Sequence, residues 1–329
     1  MKTLVIDVAA DSGGALSILN QYYDEFSKDT ENEYVFCVSL NSLKETNNMT
    51  IEELHWVKKS WLHRLWFDYI YSHKLIKKYK VDNVFSLQNT LVPMTKIPQT
   101  LYLHQSLPFC DYKFKFSENK KFWVYQNLIG KLIHKSVKRA NKVIVQTQWM
   151  KDAVLAIDKI EESKIEILPP EIKINVVNFF DMSRFTKTFF YPASNYIYKN
   201  HKVLLEAALK LKEQNINDFN IIFTLTNENL PKDCREIYNK VKENIELVGS
   251  ITHDEVMNYY SKSVLVFPSY IETFGLPLLE AKESKSPIIA SDMPFSREIL
   301  DEYDKVSYFD AFSSEELSEL LKKYCNWER

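Results

Sequence analysis

Residues 264–298 read VLVFPSYIETFGLPLLEAKESKSPIIASDMPFSRE. Val264–Phe267 is an unbroken apolar run too short for a helix and well suited to a strand covered on both faces. Pro268-Ser269 ends it, and a polar loop with Glu272 and Thr273 follows. After Gly275 come Leu276-Pro277, and a helical pattern runs on through Glu280. Proline is tolerated in a first helical turn, where its missing N–H would have had no partner. The spacing therefore predicts a helix starting near Gly275–Pro277, with its free N–H groups directed into the crevice at the strand end. Such a terminus suits an anion, above all a phosphate, and Gly275 lets backbone come close to it. Glu272 and Glu280 are eight positions apart, one in the loop and one about a turn into the helix. Both can face one bound molecule at different places, and carboxylates accept well from the vicinal hydroxyls of a sugar or a ribose. Spacing alone leaves a second reading open, a loop acid and an acid beside the helix dipole.

Outward from this stretch, short apolar runs alternate with longer amphipathic ones. Strands are expected at 3–9, 34–39, 82–87, 99–104, 142–146 and 164–168, with helices at 13–28, 51–79, 118–139 and 147–158. After Pro169-Pro170 a second series has strands near 187–192, 219–225, 245–248, 263–267, 287–290 and 306–309. Helices near 200–214, 231–243, 253–262, 276–285, 295–301 and 313–325 interleave with these. Strand–helix alternation means βαβ units and parallel sheets. The expected fold class is α/β: two doubly wound, Rossmann-like domains facing each other, residues 1–168 and 169–312, with the site in the cleft between them. The closing helix, 313–329, is expected to be able to return to the first domain.

The chain has 329 residues, 45% hydrophobic and 26% charged, with a formal net charge of −2. That composition excludes a disordered or collagen-like chain and a nucleic-acid polycation. Cys37, Cys110, Cys234 and Cys325 are far apart, which argues against a disulfide framework or zinc ribbon and for a reducing compartment. The N-terminal run is short and broken by Asp7, and no stretch of about 18 apolar residues occurs. A cytoplasmic location is expected, without transmembrane helices. Charge is uneven: residues 55–142 hold 17 basic and 4 acidic residues, together with Trp56, Trp61, Trp66 and Trp123. Packed helices with solvated lysines account for this, and so does docking on an anionic membrane surface, peripheral to its inner face. No nucleic-acid motif accompanies the charge.

Other chemistries lack their signatures. There is no GxSxG elbow for a serine hydrolase and no GxGxxG for a nicotinamide enzyme. His55, His63, His73, His134, His201 and His253 show no metal spacing, and His253-Asp254-Glu255 opens a helix capped by Thr252. No DxD pair ends a strand, so neither a cofactor nor an essential metal is expected. Gln88, Asn89 and Thr90 follow a strand and can line an acceptor side.

The ordered series resembles the retaining glycosyltransferases of family 4, which have the GT-B architecture. S-x-x-E-T-F-G-L-P-L-L-E-A with its E-x7-E is similar to their donor-site signature. Gly13-Gly14 resembles their glycine turn, 189–208 (FFYPASNYIYKNHKVLLEAA) their second-domain opening, and 244–269 the lead-in to the motif. The resemblance implies transfer of a sugar from a UDP- or GDP-sugar, with retention, to an oligosaccharide or lipid-linked acceptor in capsule, O-antigen or exopolysaccharide assembly. It implies that Glu272 contacts the transferred sugar, that Glu280 holds the ribose hydroxyls, and that Thr273, Phe274, Gly275 and Leu276 surround the diphosphate. It further implies that Lys199 neutralises the leaving diphosphate, that His104 lies near the sugar, and that Gly13 and Gly14 approach from across the cleft. The family often has arginine where this chain has Ser194, so charge compensation is expected from Lys199 and the helix terminus, with Asn195 or Asn200. A catalytically silent nucleotide-sugar binder and a sugar-nucleotide epimerase of similar architecture are the alternatives.

Overall fold

The computed structural model describes every residue except Ser12, Asn41, Ser42, Ile172, Lys173, Val177, Glu328 and Arg329. The chain divides into two compact units, Met1–Glu171 and Ile172–Arg329. The division falls three residues beyond the expected boundary at 168/169.

The first unit holds a seven-stranded sheet, order β3-β2-β1-β4-β5-β6-β7. Its strands are β1 (Lys2–Asp7), β2 (Glu33–Val38), β3 (Met49–Glu53), β4 (Asn83–Ser86), β5 (Gln99–Leu103), β6 (Lys142–Val145) and β7 (Ile165–Ile167). Every pairing is parallel. Alternation along β1 sorts its side chains between two layers: Leu4 and Ile6, with Val8 just beyond the strand, join one core, Val5 the other. Its helices are α1 (Gly13–Ser27), α2 (Trp61–Trp66), α3 (Ser72–Tyr79), α4 (Lys120–Val124), α5 (Gly130–Arg139) and α6 (Gln148–Asp158).

The expected helix 51–79 is corrected in two ways. Its first residues form β3, an edge strand pairing with β2 and buried only at Met49. Helix proper starts at Trp61, where the Ser60 side chain accepts from the His63 N–H. A π turn, Phe67–Tyr71, then joins α2 to α3, and a second one, Tyr125–Ile129, joins α4 to α5.

The second unit has a six-stranded parallel sheet, order β10-β9-β8-β11-β12-β13. The strands are β8 (Thr188–Tyr191), β9 (Asn220–Phe223), β10 (Ile245–Leu247), β11 (Val264–Phe267), β12 (Ile288–Ser291) and β13 (Val306–Phe309). The helices are α7 (His201–Glu213), α8 (Arg235–Val241), α9 (His253–Tyr260), α10 (Leu276–Glu283), α11 (Pro294–Ile299) and α12 (Ser314–Cys325). Each matches an expected segment to within a few residues. The closing helix α12 lies in this same unit: Lys210 of α7 pairs with Glu315 at 2.6 Å, and Leu317 and Leu321 are buried.

Both sheets reverse their order once, between β1 and β4 and between β8 and β11. At such a switch point the flanking loops diverge, and a crevice opens beyond the strand carboxyl ends. The switch strand β11 is buried along its whole length. Leu265→Ala leaves a cavity there and is expected to cost about 2–5 kcal/mol. Urea unfolding checks it, and a loss below about 1 kcal/mol would show that the neighbours collapse into the gap.

Candidate active site at the second switch point

β8 and β11 run side by side, Val264 opposite Phe189, so the loops that follow them meet. After β8 the chain makes a short 3-10 turn, Ile197–Lys199, and Asn200 adopts a left-handed conformation at φ 60° before α7. The Asn200 amide donates to the carbonyls of Pro268 (3.2 Å) and Ala311 (2.6 Å). The Tyr270 N–H donates to the Tyr198 carbonyl at 3.1 Å. From beneath, the buried Tyr191 hydroxyl donates to the Lys199 carbonyl at 2.7 Å.

Those ties bring Lys199 and Glu272 together. Lys199 Nζ lies 2.5 Å from Glu272 Oε1, with side chains 17% and 14% exposed. Ser269 Oγ donates to the same carboxylate oxygen at 2.7 Å. Two residues 73 positions apart thus form one partly buried ion pair at the strand-end crevice.

Beyond it, Gly275 is the N-cap of α10 at φ +85°. A Cβ there would lie 3.2 Å from Leu278 Cδ1. Glycine is therefore required by conformation and by packing inward on Leu278, and not only by the close approach expected from the sequence. No side chain caps this helix, and Pro277 stands in its first turn.

Glu280 stands in a different neighbourhood from Glu272. It is buried, with Tyr260 Oη 3.1 Å from Oε2 and His253 Nε2 3.0 Å from Oε1. Burial pushes its carboxyl above the ordinary range, opposed by the contacts to His253 and Tyr260. The expected opening of α9 holds: Thr252 and Glu255 form a capping box. The hollow beside it, about 270 Å³, is lined by Pro192, Ala193, Ser194, Thr224, Ser250, Ile251 and Val256.

Among the other expected residues, Ser194 is exposed on that hollow. The Asn195 amide donates to the Asn229 carbonyl at 3.0 Å, so Asn195 and Asn200 both commit their amides to main-chain carbonyls. Thr273 and Phe274 are half-buried, and Leu276 is exposed. His201 packs between the rings of Tyr191 and Phe223, at 5.0 and 5.1 Å. Burial, with Lys199 nearby, holds it down to about 3. Among the described residues, no group of three His, Cys, Asp or Glu is placed to hold a metal ion. The contacts of His253, Tyr260 and Ser269 were not anticipated, because polar residues on an adjoining helix or at a strand end carry no spacing signal for the carboxylate they meet.

His104, Gly13 and Gly14 belong to the first unit. Gly13 has φ +60° at the start of α1, and both glycines are exposed. His104 follows β5, its N–H donating to Asn89 Oδ1 at 2.8 Å. Burial lowers its imidazole to about 4, so it is neutral near pH 7. Asn89 is itself left-handed at φ 64° and buried, as is Gln88. Both stand at the first sheet's switch point, where Asp7 ends β1.

Residues 184–328 match the family described as "Glycosyl transferases group 1". A PRANC domain description matches 108–189, a stretch that crosses the boundary between the two units. The O-antigen chain mannosyltransferase RfbU of Salmonella typhimurium is 23% identical over 239 residues, 70% of this chain and 64% of that protein. The chain thus spans less than two thirds of that relative's length. The serotype-specific mannosyltransferase WbdA of Escherichia coli is 31% identical over 102 residues, 30% of this chain and 12% of that protein. Among solved structures, Anabaena HepE in complex with UDP-glucose superposes with a TM-score of 0.70 at 14% identity, covering 99% of this chain and 90% of that one.

Asp7 offers a test of the first unit. Its Oδ1 accepts from the Ala10 N–H at 3.1 Å. Burial pushes its carboxyl up to about 7, against the pull of the Ala10 and Ala9 amides, Arg64 and Lys58. The folded state therefore holds this proton more tightly than the unfolded chain, and stability falls as pH rises from about 4 to 7. The slope amounts to roughly 2–4 kcal/mol. Asp7→Asn is expected to flatten it, as read from urea midpoints at pH 5 and pH 8. Equal slopes in both proteins would contradict the assignment.

Residues 184–328, within the second unit, thus match the glycosyl transferases group 1 family, and the chain's two Rossmann-like units share the GT-B fold of its structural neighbours.

Proposed function

We propose that this chain transfers a sugar from a nucleotide-sugar donor to a saccharide acceptor, with retention of configuration and without an essential metal ion. The observation that carries the reading is the Lys199–Glu272 pair at the β8/β11 switch point, beside the glycine-capped start of α10. Cleavage of a glycosyl–phosphate bond leaves an electron pair on the departing diphosphate and positive character on the sugar. A lysine and oriented amide dipoles stabilise the first, the kind of preorganised term that usually dominates catalysis. On this reading the Glu272 carboxylate, 2.5 Å from that lysine, takes sugar hydroxyls, and Glu280 takes the ribose diol. HepE, with its UDP-glucose, supports a UDP- or GDP-sugar as donor. RfbU, an O-antigen chain mannosyltransferase, supports an oligosaccharide or lipid-linked acceptor in surface-polysaccharide assembly.

Lys199→Ala is expected to cut turnover about 10²–10³-fold, in a transfer assay run over a panel of UDP- and GDP-sugars with EDTA present. Full activity in the variant would remove the lysine from the reaction. Activity that vanishes with EDTA and returns with a divalent ion would remove the metal-free mechanism.

The first unit adds a reading of where the acceptor is met. In α2 and the π turn after it, Trp61, Leu62, Leu65, Trp66, Tyr69 and Ile70 are 41–76% exposed. Leu65 and Tyr69 share a hollow with Leu132, Lys135 and Arg139 of α5. No helix among the described residues is long and apolar enough to cross a membrane. An apolar face ringed by Lys and Arg suits the surface of an anionic bilayer, where a lipid-linked acceptor would be presented. Flotation with phosphatidylglycerol vesicles should carry the protein at low salt, and Trp61→Ser with Leu62→Ser should leave most of it behind. Equal recovery of both proteins, or binding indifferent to vesicle charge, would end this part of the proposal.

A further inference from the structure

Glu280 is held from one side by a single helix. His253 and Tyr260 are the first and last residues of α9, seven positions apart and so two turns along one face. Each reaches a different oxygen of the same carboxylate, His253 at Oε1 (3.0 Å) and Tyr260 at Oε2 (3.1 Å). The two clamps are not alike. Tyr260 is wholly buried, an inner anchor. The His253 side chain is 51% exposed, while that of Glu280 is 6% exposed, so the histidine marks the solvent edge of the carboxylate. The capping box at Thr252 and Glu255 fixes the turn from which His253 projects. An ionised carboxylate has about four acceptor positions. One contact on each oxygen holds the plane of the group and leaves an acceptor position on each for a ligand.

We propose that His253 is a positioning residue that orients Glu280 to accept the vicinal hydroxyls of a nucleoside diphosphate. This rests on the reading of Glu280 as the ribose-binding acid. The outer oxygen turns freely without His253, and a diol that needs both oxygens at once loses its fixed geometry. A Gln at 253 carries an amide N–H at similar reach and should restore the orientation, whereas Ala should not.

The test is nucleotide binding by calorimetry, with UDP, GDP and their 2′-deoxy counterparts as probes and no acceptor. Wild type should bind the ribonucleotide about tenfold or more tightly than the deoxynucleotide, as expected for a hydrogen bond to a charged group. His253→Ala should lose most of that ratio, His253→Gln should keep most of it, and Glu280→Gln should abolish it. A merely structural histidine would weaken both nucleotides alike and leave the ratio intact. If wild type and Glu280→Gln show the same ratio, or no nucleotide binds folded wild type, the reading of Glu280 itself falls. If Glu280→Gln loses the ratio and His253→Ala retains it, only the inference about His253 is overturned. Thermal melts of each variant confirm that a folded protein is being measured.

Discussion

An ion pair between Lys199 and Glu272, withdrawn from most of the solvent, ties together the two loops at which the second sheet reverses its order. Such a pair is no source of stability by itself. Taking both charges out of water costs several kcal/mol per ion, which their attraction repays only with good geometry and further hydrogen bonds. Here those bonds exist. Ser269 donates to the Glu272 carboxylate, and Tyr191, Asn200 and Tyr270 pin the main chain on either side. The scaffold spends many polar contacts on two side chains whose mutual attraction would not by itself require them. These contacts fix both side chains in one place at the strand-end crevice.

The first sheet solves the same topological problem differently. At its switch point the polar groups turn inward on the protein. Asp7 accepts from Ala10 and Asn89 accepts from the His104 N–H, while at the surface Lys58 reaches the exposed Asp11 at 3.1 Å. The loop between β1 and α1 is thereby braced near its start. The aromatic and basic stretch beyond is likewise divided. Phe67, Phe114 and Phe122 are core, whereas Trp61, Leu62 and Trp66 face solvent. Composition counts these together, and only burial separates packing from surface.

Much of this was legible in the sequence. Parallel strands covered on both faces are continuous apolar runs, and Thr188–Tyr191, Val264–Phe267 and Ile288–Ser291 stand out for that reason. Pro277 and Gly275 announced the start of α10, and Thr252 that of α9. What escaped was contact at long range. The family resemblance brings Lys199 and Glu272 to one ligand, but their direct ion pair, made because β11 pairs with β8 across several intervening elements, leaves no local pattern. His253 and Tyr260 follow a helical period whose target, Glu280, lies on another helix. Edge strand β3 was hidden because Met49–Glu53 pairs on one side only, is largely polar and runs directly into the amphipathic pattern that follows. The π turns at 67–71 and 125–129 escaped because each widens a helix without any breaker residue inside it.

The position held by Ser194 sharpens the electrostatics. A neutral side chain stands there, and Lys199 five residues on is already matched by Glu272. Residues 172–329 carry 19 basic and 24 acidic residues, so the unit as a whole does not attract an anion. On the proposed reading, a diphosphate must therefore be recognised at short range, by oriented dipoles and by one transferable cation. A glycine N-cap suits this, since Gly275 itself has no side-chain acceptor to offer the helix start. On that reading, Lys199 would exchange a carboxylate oxygen for a phosphate oxygen, and the exchange would release Glu272 as sugar hydroxyls arrive on the same molecule. The resting ion pair keeps each charge compensated until a single ligand brings partners for both.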